Sequence, residues 1–162
     1  MAHEVESMFY TRVTPWHNLG IRVEEALSSQ DALKAAGLDW LVIQKSILTS
    51  DLMPVDGYRA NIRNTDQSVL GVVKNRYKVV QNSEAFAFTD ELLGEGVKYE
   101  TAGSLQGGKR VWMLAKLPKK YQLVGDEVCP YLVFSNCHDG TSAIRVAMTP
   151  VRRGNDLHPL QS

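Results

Sequence analysis

The chain reads as short apolar runs broken by turn chemistry, with two stretches where the apolar period lengthens to that of a helix. From Asp39 the text "DWLVIQKSILTSDLMPVDGYRANIRNTDQSVLGVVKNRYKVV" is rich in β-branched and aromatic residues, which suit the pleated, half-buried surface of a sheet. "PVDG" and "RNTDQ" carry the Pro, Asp, Asn and Gly that turns favour, so three or four antiparallel strands are expected here. Beyond Gly96 the runs "VKYETAGSL", "RVWMLAKL", "YLVFSN" and "SAIRVAMTPV" repeat the pattern, separated by "QGGK", "PKKYQLVGDEVCP" and "HDGT". Each reads as a strand.

The first helical stretch, "LSSQDALKAAGL", sets Ser28 three residues before Asp31, an imperfect capping box, and closes at Gly37, a suitable C-cap. The second, "QNSEAFAFTDELLGEG", offers Asn82 or Ser83 as N-cap, acids in the first turn, and Phe86, Phe88, Leu92 and Leu93 before Gly94. The expected class is α+β, an antiparallel sheet of several hairpin-connected strands with two helices. Phe9, Tyr10, Trp16 and His17 precede any expected regular element and suggest a segment that caps the core. The closing "VRRGNDLHPLQS" turns polar, which sets a single domain over 1–152 and a loose tail over 153–162.

Composition narrows the function classes. At 162 residues, with 44% hydrophobic and 22% charged residues, the chain can bury a core without staples. Its formal net charge is zero, so binding to nucleic acid or an anionic membrane has to come from a local patch. The N-terminus has no basic segment leading into an apolar run, and "WLVI" is too short to cross a bilayer; a cytoplasmic protein is expected. Cys129 and Cys137 are then expected as reduced thiols, and His3, His17, His138 and His158 are too scattered for a zinc site. No metal and no cofactor is expected.

"FSNCHDGTSAIRV" sets Cys137, His138 and Asp139 side by side, the residue types of a nucleophile, a base and its orienter. Neighbours on a strand point to opposite faces, however, and triads collect their members from distant chain positions. Asp-Gly between two strand-like runs is a strong hairpin signal, so the stretch reads as a turn, with thiol catalysis as the lesser alternative. "GSLQGGKR" matches G-x-x-x-x-G-K but has Arg110 where a phosphate loop needs Ser or Thr, and runs into a strand instead of a helix. Gly107 and Gly108 read as a hairpin connection.

Charge is the remaining signal. Lys74, Arg76 and Lys78 fall on alternate positions that would share a strand face, as do Arg59 and Arg63, with Tyr58 and Tyr77 nearby. Lys109, Arg110, Lys116, Lys119 and Lys120 form a second basic run, while Glu84, Asp90, Glu91, Glu95 and Glu100 gather on and after the second helix. Two readings stand: strand faces solvated by cations that also protect edges, or a surface that tracks phosphates and stacks bases.

The blocks "MAHEVESMFYTRVTPWHNLG", "LKAAGLDW", "SVLGVVKNRYKVVQNSEAF", "YETAGSLQGGKRVWMLAKLP" and "SNCHDGTSAIRVAMTPVR" resemble, in order, the N-terminal portion of the phage/plasmid-like protein family, domain of unknown function 932. The resemblance runs from Met1 to about Arg152. It implies a mobile-element context and no agreed reaction. It also implies that the position of Cys137 is commonly a serine, which favours the turn. Relatives usually continue beyond "TPVR" for a hundred or more residues.

Together these readings lead to a non-enzymatic accessory protein that contacts DNA, including single-stranded DNA, in replication or recombination, through Arg59, Arg63, Lys74, Arg76, Lys78, Lys109 and Arg110. The alternative is a counter-defence inhibitor that binds a host immune complex, with the acidic helix mimicking phosphate. DNA, a host defence protein or a second copy joined through an unpaired edge strand are the partners expected.

Overall fold

A computed structural model describes residues 5–11, 20–22, 26–94, 96–116, 121–123 and 126–152. The proposed tail, 153–162, and Trp16, His17, Glu95, Lys119 and Lys120 lie outside them. Two helices and ten strands are described: β1 (Val5–Tyr10), β2 (Ile21–Arg22), α1 (Ser29–Ala35), β3 (Val42–Leu48), β4 (Pro54–Arg63), β5 (Val69–Lys74), α2 (Asn82–Leu93), β6 (Lys98–Leu105), β7 (Arg110–Lys116), β8 (Tyr121–Leu123), β9 (Asp126–Cys137) and β10 (Arg145–Arg152). A 3₁₀ turn, Gln106–Gly108, joins β6 to β7. The fold is α+β, as the strand runs and two helical stretches predict.

The strands form two sheets. The larger has the order β10-β9-β7-β6-β1-β2, with β8 also on β9; the smaller is the meander β3-β4-β5. Every ladder is antiparallel except the short β1–β2 pair. Strand β9 carries β8 opposite Asp126–Val128 and β7 opposite Tyr131–Cys137. The change of partner falls at Cys129–Pro130, where proline has no N–H to give a neighbour. Pro130 faces Pro150 of the edge strand β10; two residues without donors form the non-bonded kind of antiparallel pair, and Pro150 thereby removes one donor from the open edge.

Both helices lie on one face of the large sheet. Across that face runs the row Phe9, Ala102, Met113, Phe134, set by direct cross-strand pairing. All four are buried in one cluster with Ala32 of α1, its C-cap Ala36, and Ala85 and Phe86 of α2. The row continues to Val146 on β10, which is 42% exposed because neither helix reaches that far. On the opposite face the matching row is Met8, Gly103, Trp112, Ser135, Arg145, and Leu114 and Tyr131 form a second small cluster there.

Local chemistry explains most of the boundaries. Helix α1 ends as a Schellman motif: Leu38 N–H donates to Leu33 O (2.9 Å), Gly37 N–H to Lys34 O (3.0 Å), and Gly37 takes φ +68°. Ser28 is the N-cap, but its hydroxyl bonds the Asp31 carboxylate and not a backbone N–H. Helix α2 starts earlier than either expected N-cap, Asn82 or Ser83, allows. Gln81 is its N-cap, its backbone N–H donating to Glu84 Oε1 (2.9 Å), while its side-chain amide pairs with the N–H and C=O of Val42 on β3.

Four expectations are corrected. "PKKYQLVGDEVCP", expected to separate two strands, holds β8 and the first five residues of β9, 126–130. "PVDG" is not a turn; it opens β4, with Gly57 at φ +85° beside a register shift, and the β3–β4 turn is Thr49–Met53. The N-terminal aromatic stretch contains a regular element, since β1 pairs with β6 and Phe9 is fully buried. Strand β5 ends at Lys74, so Arg76 and Lys78 share no strand face with it. No described helix is long and apolar enough to cross a membrane.

Candidate nucleic-acid interface

The Cys137–Gly140 turn sits where the two sheets meet. Cys137 ends β9 and is paired with Arg110 of β7; His138 N–H donates to Lys109 O at 2.6 Å. From the small sheet, Asn61 Nδ2 donates to His138 O (2.8 Å) and the Tyr77 hydroxyl to Cys137 O (3.1 Å). A Cβ on Gly71 would lie 2.5 Å from Asp139 Cα, and one on Gly140 2.7 Å from Val73. β5 and the turn therefore touch with no room for a side chain between them. The connection between β9 and β10 is longer than a two-residue turn, and Asp139 shapes it by accepting from the N–H (3.0 Å) and hydroxyl (2.7 Å) of Thr141.

The second hairpin turn of the large sheet docks beside the first. The Arg63 guanidinium lies 4.7 Å over the Trp40 ring, bonds Glu6 at 2.9 Å, and donates to Gly107 O at 3.3 Å. Gly108 packs so closely on Trp40 that a Cβ would stand 2.9 Å from the indole. Cation–π contact and ion pairing hold Arg63 between the sheets.

His138 is wholly buried. Its Nε2 lies 2.8 Å from Asn82 Oδ1, and its ring meets Trp40 edge-on at 5.6 Å. Asn82 Nδ2 already donates to Leu38 O (3.1 Å), which leaves Oδ1 to accept, so Nε2 carries the hydrogen. Burial pulls the His138 pKa down to about 4, against a smaller upward pull from Asp139. The imidazole is neutral and points into the core. The Cys137 thiol is buried too, so the three adjacent side chains form no nucleophilic centre: one is core, one is a core hydrogen-bond partner, one shapes the turn. Burial, and then the nearby Cys137 and Asp139, raise the pKa of Tyr77. Among the described residues no group of His, Cys, Asp and Glu is placed to hold a metal.

The expected cations divide accordingly. Arg59 and Arg63 share the inner face of β4 with Asn61, as their regular pairing with Ser46, Gln44 and Val42 requires. Arg63 is used between the sheets, whereas Arg59 is exposed opposite Val73, the residue against Gly140. Lys74 pairs with Tyr58 and takes the outer face instead. Arg76 and Lys78 are exposed on either side of Tyr77, whose hydroxyl reaches the turn, and Lys109 and Arg110 are exposed where β7 begins. Arg59, Arg76, Lys78, Lys109 and Arg110 thus form a rim of exposed cations on the segments that meet at this turn, and none is joined to a carboxylate among the described residues.

The acids are less available than their spacing suggests. Glu84 accepts from the α2 N-cap, Asp90 accepts from the Tyr99 hydroxyl at 2.7 Å, and Glu100 is buried with its carboxylate bonded by Thr11. Burial and the Asp90 contact raise the pKa of Tyr99 strongly. Residues missed from the sequence include Trp112 and Arg145. Strand alternation puts Trp112 with Arg110, but only pairing through β9 brings Arg145 alongside.

Fold and site together define an α+β domain whose two sheets are locked by hairpin turns beneath a cationic rim. The chain belongs to the family described as Domain of unknown function (DUF932), whose model matches residues 69–153. The match begins at Val69, beyond the first two of the five resembling blocks, and contains α2, both docking turns and all the rim cations except Arg59. No curated protein and no solved structure matches the chain.

Proposed function

We propose that this protein is a non-enzymatic accessory protein of a phage or plasmid that contacts DNA, including single-stranded DNA, in replication or recombination. The observation that supports the reading is the meeting of the two sheets at the Cys137–Gly140 turn, with Lys109 and Arg110 exposed on the large-sheet segment that reaches it and Arg59, Arg76 and Lys78 exposed on the small-sheet side. Five cations without described acidic partners on a neutral chain make the local field that phosphate binding needs. Arg63 and Lys74 drop out of the surface, the first by its structural use and the second by its face. The counter-defence reading keeps less support, because Glu84 and Asp90 are bonded within the chain.

Fluorescence anisotropy with a labelled 20-nucleotide strand at two salt concentrations tests the reading. Affinity should fall steeply with salt, and Lys109→Glu with Arg110→Glu should flatten the slope by roughly 0.7–0.9 per lost phosphate contact. Absence of binding at low salt would remove DNA contact. Capture of a host nuclease complex in its place would favour the counter-defence reading.

A further inference from the structure

Resting on the nucleic-acid reading, we infer that the part of the large sheet's helix-free face around Trp112, beside the rim, is a stacking platform for single-stranded nucleic acid, with Trp112 as the base-stacking ring and Arg110 and Arg145 as its phosphate contacts. Three observations place these side chains together. Trp112 on β7 pairs with Ser135 on β9, which pairs with Arg145 on β10, so Trp112 and Arg145 stand on one face, about 10 Å apart across two strand spacings. Arg110 precedes Trp112 by two residues on the same strand and shares that face. Gly103 is the cross-strand partner of Trp112 on β6, and a Cβ there would lie 2.6 Å from the far end of the indole. The missing side chain lets the indole spread over β6, where its Nε1 is buried while the residue as a whole is half-buried.

The helices cover only the opposite face, where Phe9, Ala102, Met113 and Phe134 are buried. Arg110 and Arg145 are exposed, and neither is joined to a carboxylate among the described residues. A half-buried flat ring flanked by two exposed guanidinium groups meets the needs of an unpaired strand, whose bases expose their faces; a duplex keeps its bases stacked on one another and offers a ring nothing to stack on. Arg110 also belongs to the rim of the Cys137–Gly140 turn, so the platform continues that surface onto the sheet.

Anisotropy with an oligothymidylate strand and with a duplex of the same length tests the inference on the full chain. Trp112→Ala should weaken single-strand binding about tenfold while Trp112→Phe keeps most of it, and Arg145→Glu, a surface change with no core contact to lose, should weaken it as well. Thermal melting confirms that each variant is folded. If the protein binds the strand and the duplex equally, and Trp112→Ala and Arg145→Glu leave both unchanged, the platform is overturned while DNA contact through the rim stands. If the unaltered protein binds neither at low salt, both fall.

Discussion

His138 Nε2 donates to Asn82 Oδ1 at 2.8 Å inside the core, tying the turn after β9 to the first residue of α2. Asn82 also donates to Leu38 O just past the end of α1, so one side chain links both helices to the sheet junction. Replacing it with alanine strands a buried ring N–H and a buried carbonyl. Asn82→Ala should therefore cost about 2 kcal/mol or more, read as a lower urea midpoint with an unchanged slope. A loss under half a kcal/mol would mean that water replaces both bonds.

Stability should depend on pH through the same ring. The ordinary histidine value is 6.5 and the folded value is about 4, so the unfolded chain takes up a proton that the folded chain refuses. The stabilisation is present above pH 6.5, declines as pH falls toward 4, and amounts to something on the order of 3 kcal/mol across that window. Urea denaturation at several pH values should show this decline, and His138→Phe should flatten it. A ring titrating near 6.5 in the folded protein, followed by NMR, would contradict the burial account.

Gly71 and Gly57 separate two reasons for glycine. A Cβ on Gly71 would collide with the backbone of Asp139, whereas Gly57 has nothing within 4 Å but takes φ +85°. Gly71→Ala should cost roughly 2–3 kcal/mol by forcing β5 away from the turn, and Gly57→Ala about 1 kcal/mol from backbone conformation alone. Thermal denaturation of the two variants side by side checks the order.

Arg63 should behave as a structural cation. Arg63→Ala removes the Glu6 pair and the Trp40 contact and should lower stability by about 1 kcal/mol. Its effect on oligonucleotide affinity should be small beside that of Arg110→Glu. A large affinity loss with no change in melting temperature would return Arg63 to the binding surface.

The Cys137 thiol, buried at the sheet junction, should resist alkylation in the folded protein and react once urea opens it. Mass spectrometry of the Cys137 peptide after brief iodoacetamide treatment follows both states. Rapid modification under native conditions would revive the thiol-catalysis reading.

Hydrophobic period and turn chemistry alone determined the two helices, most strands from β3 onward and the α+β class, because those signals act within a few residues; β8 and the start of β9 fell in a stretch read as a connection. Gly37 ending α1 and the β-branched runs are examples. They misjudged "PVDG", where proline and glycine serve a bulged strand, and the Phe9 stretch, whose strand pairs with residues some ninety positions away. Tertiary structure decided what the charged and reactive residues do. His138 could be assigned to the core only once Trp40 and Asn82 packed around it, and Arg63 left the binding surface only when Glu6 and Trp40 enclosed it. Arg145 joined Trp112 through a strand that neither belongs to. Alternation assigns a residue to a face, but pairing between distant strands decides which residues share it and which of them water can reach.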